Sequence, residues 1–159
     1  MIWREFEAAA PELAALGRAR FDRTRVAMIA TIRHDGSPRI SPIEPYFVLD
    51  HLLLGVMSRS AKSRDLARDA RCAVHSSITD INDSEGDFLL HGRAAAVSEE
   101  IRESAYDAWW KAHPADSCIV LTMDIEAASF IAWDVANGDM TLTSWSPAQG
   151  QTVERRAYP

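Results

Sequence analysis

The sequence predicts a mainly β domain, an antiparallel barrel, closed or partly closed, with two or three flanking helices. Three observations predict it. Short apolar runs of strand length recur from Val26 to Trp145. Tight turn signals join neighbouring runs, Asp35-Gly36 and Asp50-His51 among them, which makes antiparallel hairpins the dominant connection. Glycine-rich βαβ phosphate loops are absent, so the dinucleotide-binding and P-loop architectures fall away.

The elements follow in order. Residues 1–25 form an N-terminal helical segment. Its helix runs from Pro11 to Phe21, with proline in the first turn and Leu13 and Leu16 sharing a face with Phe6 and Ala10. Val26 to Arg33 is a strand. The next run, Pro38 to Pro45, holds three prolines in eight residues. Prolines cannot donate to a ladder, so this strand is an edge, or its missing donors face something other than a strand. Tyr46 to Leu49 and Leu52 to Val56 form a second hairpin. Ser58 to Asp69 is a short polar helix and Cys72 to Ser77 a strand. Phe88 to Val97 is a longer strand, with Gly92 as a bulge or close-approach point. Glu99 to Lys111 is an amphipathic helix, with Ile101, Ala105 and Trp109 at helical spacing. Ser117 to Met123, Ala128 to Asp134 and Met140 to Trp145 complete about eight strands. Residues 146–159 show no periodicity and read as an irregular tail. The 159 residues form one domain without repeat or linker.

Composition narrows the function. The net charge is −6, which argues against a bulk nucleic-acid binder and an anionic-membrane binder. No apolar run reaches the roughly 20 residues of a membrane span. The polar, acidic N-terminus does not resemble a signal peptide, and the expectation is a cytoplasmic protein. Cys72 and Cys118 lack the spacing of a metal or redox pair and read as buried free thiols. The five histidines, His34, His51, His75, His91 and His113, show no ligand spacing. The acidic run Asp80, Asp83, Glu85, Asp87 lacks the terminal glutamate of a calcium loop and reads as solvated.

One segment stands apart. Between Ser58 and Arg71 lie five of the 17 basic residues, Arg59, Lys62, Arg64, Arg68 and Arg71, against Asp65 and Asp69. Ser58, Ser60 and Ser63 lie at its start, just after a strand. A helix start presents free N–H groups and the positive end of the helix dipole. Hydroxyls and Lys62 would complete a phosphate site. The same residues also read as a solvated helix with serine caps.

Two stretches in order, ATIRHDGSPRISPIEP (Ala30 to Pro45) and LLLGVMSRSAKSRDLARDARCAVHS (Leu52 to Ser76), resemble the pyridoxamine 5'-phosphate oxidase-like FMN-binding split barrels. By order of elements the resemblance covers Val26 to about Met123. It implies an antiparallel split β-barrel of Greek-key type and a homodimer with cofactor sites at the interface. It also implies cofactor contacts from Arg39, Ser41, Pro42 and Ile43 on the proline-rich strand. Met57, Ser58, Ser60, Lys62 and Ser63 would contribute at the strand-to-helix turn, and His75 on the following strand. Glu44 stands where vitamin-B6 oxidases carry a lysine, and their C-terminal basic signature has no match here, which argues against that activity. The expectation is an FMN-dependent oxidoreductase acting on a small organic substrate. A reductase using the 8-hydroxy-5-deazaflavin coenzyme and a non-catalytic flavin- or haem-binding protein are the alternatives. Trp109, Trp110 and Trp133 are expected in the core or a dimer contact, and Trp145 offers a cap for a flavin ring.

Overall fold

A computed structural model describes residues 1–79, 86–110 and 117–157, with the side chains of residues 109 and 110 outside that description. Helices α1 (Trp3–Ala9) and α2 (Pro11–Thr24) come first. Strands β1 (Ala27–Ile32), β2 (Pro38–Ile43), β3 (Pro45–Val48) and β4 (His51–Met57) follow. Helix α3 (Ala61–Arg68) leads to β5 (Arg71–Ser76) and β6 (Asp87–Ala96). Helix α4 (Glu99–Ala105) ends in a π-type turn, Tyr106–Trp110. Strands β7 (Cys118–Asp134), β8 (Asp139–Ser146) and β9 (Gly150–Ala157) close the chain. The expected ends of the 99–111 helix and of the acidic 80–87 run lie partly outside the described residues, as does His113.

All strand pairings among the described residues are antiparallel, in the order β2-β1-β5-β6-β7-β4-β3, with β8 and then β9 added along β7. The sheet does not close. The reason lies in β7. Its first part pairs with β4, from Cys118 to Thr122, and its last part with β8, from Ala128 to Asp134, while β6 runs along the other side. One strand thus serves two partners on one edge, and the barrel forks there. The sequence predicts two strands here. They are one, because exposed Asp124 and Glu126 alternate with buried Ile125 and keep the period of two through the charged middle. The extra residue is absorbed at the register shift between His91 and Gly92. A Cβ on Gly92 would stand 2.0 Å from the Asp124 carbonyl oxygen, so glycine is required at that close approach.

The proline-rich β2 is an edge strand, the position its prolines allow. The β3–β4 hairpin turns at Leu49-Asp50, one residue earlier than the sequence predicts, with both residues at positive φ (44° and 70°). That is the twist-matched two-residue turn of hairpins.

Two expectations need correction. Residues 146–159 are not an irregular tail: β9 pairs with β8 along its whole length, from Ser146↔Gly150 to Asp139↔Ala157. Every β9 residue is exposed, so backbone pairing alone forms the strand and no apolar pattern marks it. Leu16 does not share the buried face of α2. It is 43% exposed, whereas Phe6, Ala10, Leu13, Ala14 and Phe21 are buried. Ala10 precedes a proline and leaves helical geometry (φ −145°, ψ 68°), so α1 and α2 are separate helices with their own phase.

The barrel is filled by side chains from these helices. Trp3 packs edge-on against Phe6 and Phe47 at 5.4 and 4.7 Å, and Phe21 against Phe88 at 5.6 Å. Trp145 is buried against Phe6 at 5.0 Å, so it belongs to the core and does not cap a ligand. These side chains occupy the barrel interior. No helix among the described residues is long and apolar enough to cross a membrane.

Candidate functional site

The site is built at the turn from β4 into α3. Ser60 is extended (φ −74°, ψ 160°) and its Oγ accepts from the Ser63 N–H at 3.2 Å, an N-cap. The Ser63 hydroxyl donates to the carbonyls of Ser58 and Ser60, each at 2.8 Å. The Ser58 hydroxyl donates to the Ser117 carbonyl at 3.2 Å. The three serines therefore knit the turn together. The N–H groups of Ala61 and Lys62 remain the helix's open donors among the described hydrogen bonds.

Lys62 lies at this helix start, and its Nζ donates to the Pro42 carbonyl at the end of β2. Burial pushes its pKa down, against the opposing pull of Glu44 and Cys118. It borders a cleft of about 280 Å³ between the end of β2 and β4. Pro42, Ile43, Met57 and Gly55 form the apolar wall, and Val26, Glu44 and Cys118 complete it. Gly55, in the middle of β4, contributes backbone to the lining. The Cys118 thiol is buried, which raises its pKa. Both cysteines are free and buried, and burial pushes the Cys72 thiol up to about 12.

Of the ten residues the resemblance points to, Pro42, Ile43, Met57 and Lys62 meet in this cleft. Ser58, Ser60 and Ser63 form the turn directly behind it. The other three lie elsewhere. Arg39 turns toward α3, where its Nε donates to Asp65 Oδ2 at 2.6 Å. Thr31 donates to the same oxygen at 3.0 Å. The Asp65 carboxylate is only 5% exposed. Burial pushes its pKa up, but hydrogen bonds from Arg39, Thr31 and Arg68, with the Arg39 charge, hold it below the ordinary carboxylate value. The Ser41 hydroxyl is buried without a hydrogen-bond partner among the described residues. His75 lies two strands away from β2, its Nδ1 against the Ser76 carbonyl at 2.7 Å and its Nε2 at 3.3 Å from Asp87. The Asp87 hydrogen bond raises its pKa and burial opposes it.

Sequence reasoning missed Val26, Gly55 and Cys118. Gly55 alone carried a signal, a glycine inside a strongly apolar strand. Val26 and Cys118 reach the cleft only through strand pairing, Cys118 opposite Met57. Among the described residues, no cluster of three or more histidine, cysteine, aspartate or glutamate side chains is placed to hold a metal ion.

No protein-family model and no curated protein matches the chain. Solved structures do. PhzG from Burkholderia lata 383, in complex with tetrahydrophenazine-1-carboxylic acid, superposes with a TM-score of 0.66 at 12% identity, over 98% of this chain and 93% of that one. A pyridoxamine 5'-phosphate oxidase-related, FMN binding protein from Nostoc punctiforme PCC 73102 gives 0.61 at 12%, over 92% and 95%. A heme binding protein from Mycobacterium smegmatis gives 0.60 at 15%, over 91% and 88%.

Proposed function

We propose that this chain, which has the split-barrel fold of those proteins, binds FMN in the β2–β4–α3 cleft and acts as a flavin-dependent oxidoreductase on a small organic substrate. The observation that carries the reading is the position of Lys62. A lysine at a helix start borders an apolar cleft, on a fold whose solved examples include a protein described as FMN binding.

The residues fit the cofactor. Lys62 and the Ala61 and Lys62 N–H groups would take the phosphate, a charge-assisted site at the positive end of a helix. Gly55, Pro42 and Met57 would flank the ring, leaving a flat apolar space. Bound FMN would supply hydride chemistry. The chain supplies position and water exclusion. Arg39 and Thr31 act one step back, by fixing Asp65 and so the helix that carries Lys62.

The proposal includes a homodimer. The outer face of β2, β1 and β5 brings Ile40 opposite Ala30, Pro42 opposite Met28, and His75 opposite Met28 on its other side. Ile40 is 68% exposed and Met28 36%. A broad, mostly apolar sheet face of this kind suits a second copy. Such a dimer would cover the open side of the cleft.

Flavin is preferred over haem because none of the four described histidines lines the cleft, and a haem needs an axial ligand. The test is an absorbance spectrum of the purified protein, repeated during FMN titration. Flavin bands, or quenched FMN fluorescence at micromolar protein, support the reading. A Soret band with no FMN uptake would overturn it. FMN bound without turnover with nicotinamide donors would leave a binding protein and remove the oxidoreductase.

A further inference from the structure

His75 stands near the end of β5, and both of its ring nitrogens face acceptors. Nδ1 lies 2.7 Å from the Ser76 carbonyl oxygen, and Nε2 lies 3.3 Å from Asp87 Oδ2. A neutral imidazole has one N–H and one lone pair. It can serve one of these contacts, and at the other it sets a lone pair against an oxygen. Only the imidazolium donates at both ends.

The carboxylate depends on this ring. The Asp87 side chain is 14% exposed, and among the described residues His75 is its one ion-pair or hydrogen-bond partner. Met28 on β1 and Leu89 on β6 stand opposite His75 on either side, so its strand neighbours offer no competing charge. Two other titratable or charged groups lie near it among the described residues. His91 is diagonal to it on β6, and Arg20 on α2 opposes its protonation by charge. The Asp87 contact outweighs Arg20 and burial, and the His75 pKa lies above its ordinary value.

The pair spans a junction. Ser76 Oγ accepts the Phe88 N–H at 2.9 Å, directly after Asp87. Arg20 donates to the Ser77 carbonyl at 2.7 Å, and the Ser77 hydroxyl donates to the Val26 carbonyl at 2.7 Å. Residues 75–77 thus tie the end of β5 to the start of β6, to α2 and to the chain entering β1.

We infer that His75 and Asp87 form a proton-operated clasp. The protonated ring holds the start of β6 to the end of β5, and loss of the proton gives up one of its two contacts and loosens the junction at Phe88. The clasp is closed below the ordinary histidine value of 6.5 and opens as pH rises through the higher folded value. It stands independently of the flavin reading.

The test follows the His75 imidazole by nuclear magnetic resonance from pH 5 to 9 in the full chain, without FMN. Exchange of the Phe88 amide is measured alongside, corrected for the intrinsic rise of exchange with pH. The His75 midpoint is expected above 6.5, and Asp87→Asn is expected to bring it down. Phe88 protection is expected to fall as pH passes the midpoint in the unsubstituted protein and to stay level with pH in His75→Gln. A His75 midpoint at or below 6.5 overturns the clasp, as does Phe88 protection in the unsubstituted protein that ignores the His75 titration. Both readings come from the unsubstituted chain, so the clasp stays testable if Asp87→Asn fails to fold. A midpoint left in place by a folded Asp87→Asn also overturns it.

Discussion

Arg39 Nε donates to Asp65 Oδ2 across 2.6 Å, joining the proline-rich edge strand to the helix that carries Lys62. Among the described residues the edge strand has no second strand to hold it. This bond, with Thr31 on the same carboxylate, supplies the missing restraint. Replacing Arg39 by glutamine is expected to lower unfolding free energy by about 1.5–3 kcal/mol, the range for a hydrogen bond to a charged group. Urea denaturation measures it. A loss below about 0.5 kcal/mol would mean that Thr31 and Arg68 alone satisfy the carboxylate.

The same pair sets an acid dependence. The Asp65 pKa lies below its ordinary 3.8 in the folded protein. Its stabilising contribution is therefore complete above about 3.8 and is lost as pH falls through the lower folded value. The stability difference between the unsubstituted protein and Asp65→Asn should be constant from pH 5 to 7 and shrink below pH 4. Parallel curves down to pH 2 would contradict the depressed pKa.

Lys62 and Arg68 should differ in effect. Lys62→Ala removes a charge-assisted contact to the proposed phosphate, and FMN affinity is expected to fall by about 10- to 150-fold. Arg68 donates to the Ile32 carbonyl and to Asp65 Oδ1. Arg68→Ala should cost stability and change FMN affinity little. Because burial lowers the Lys62 pKa from 10.5, FMN affinity should decline with rising pH before a free lysine would titrate. Fluorescence titrations of both variants decide it, and equal affinity losses would remove the phosphate site from the helix start.

Gly92→Ala tests the bulge in β6. The added methyl meets backbone, not a movable side chain, so strand β6 or β7 must shift. Overpacking of this kind costs about 1–3 kcal/mol. Thermal unfolding would show it, and an unchanged melting temperature would mean that the bulge relaxes freely.

Met28→Glu tests the proposed dimer. A charge between Pro42 and His75 on the outer face should give a monomer by light scattering while the fold persists by circular dichroism. A dimer of unchanged stability would place the interface elsewhere. If the monomer also loses FMN, the cleft depends on the second copy.

Local chemistry was legible where a residue type forces a backbone outcome. The prolines of β2 announced an edge, Gly92 a bulge, and Ser60 with Lys62 a capped helix start next to a strand. These follow from donors, φ angles and caps within a few residues, so the sequence by itself determined the antiparallel barrel and the helix start that borders the cleft. Tertiary structure alone decided what lies around it. Val26 and Cys118 enter the cleft because β1 and β7 are folded against it, and Arg39 points to Asp65 because α3 packs across β1. Strand β9 exists because β8 offers it a backbone edge, with no apolar side chains to mark it.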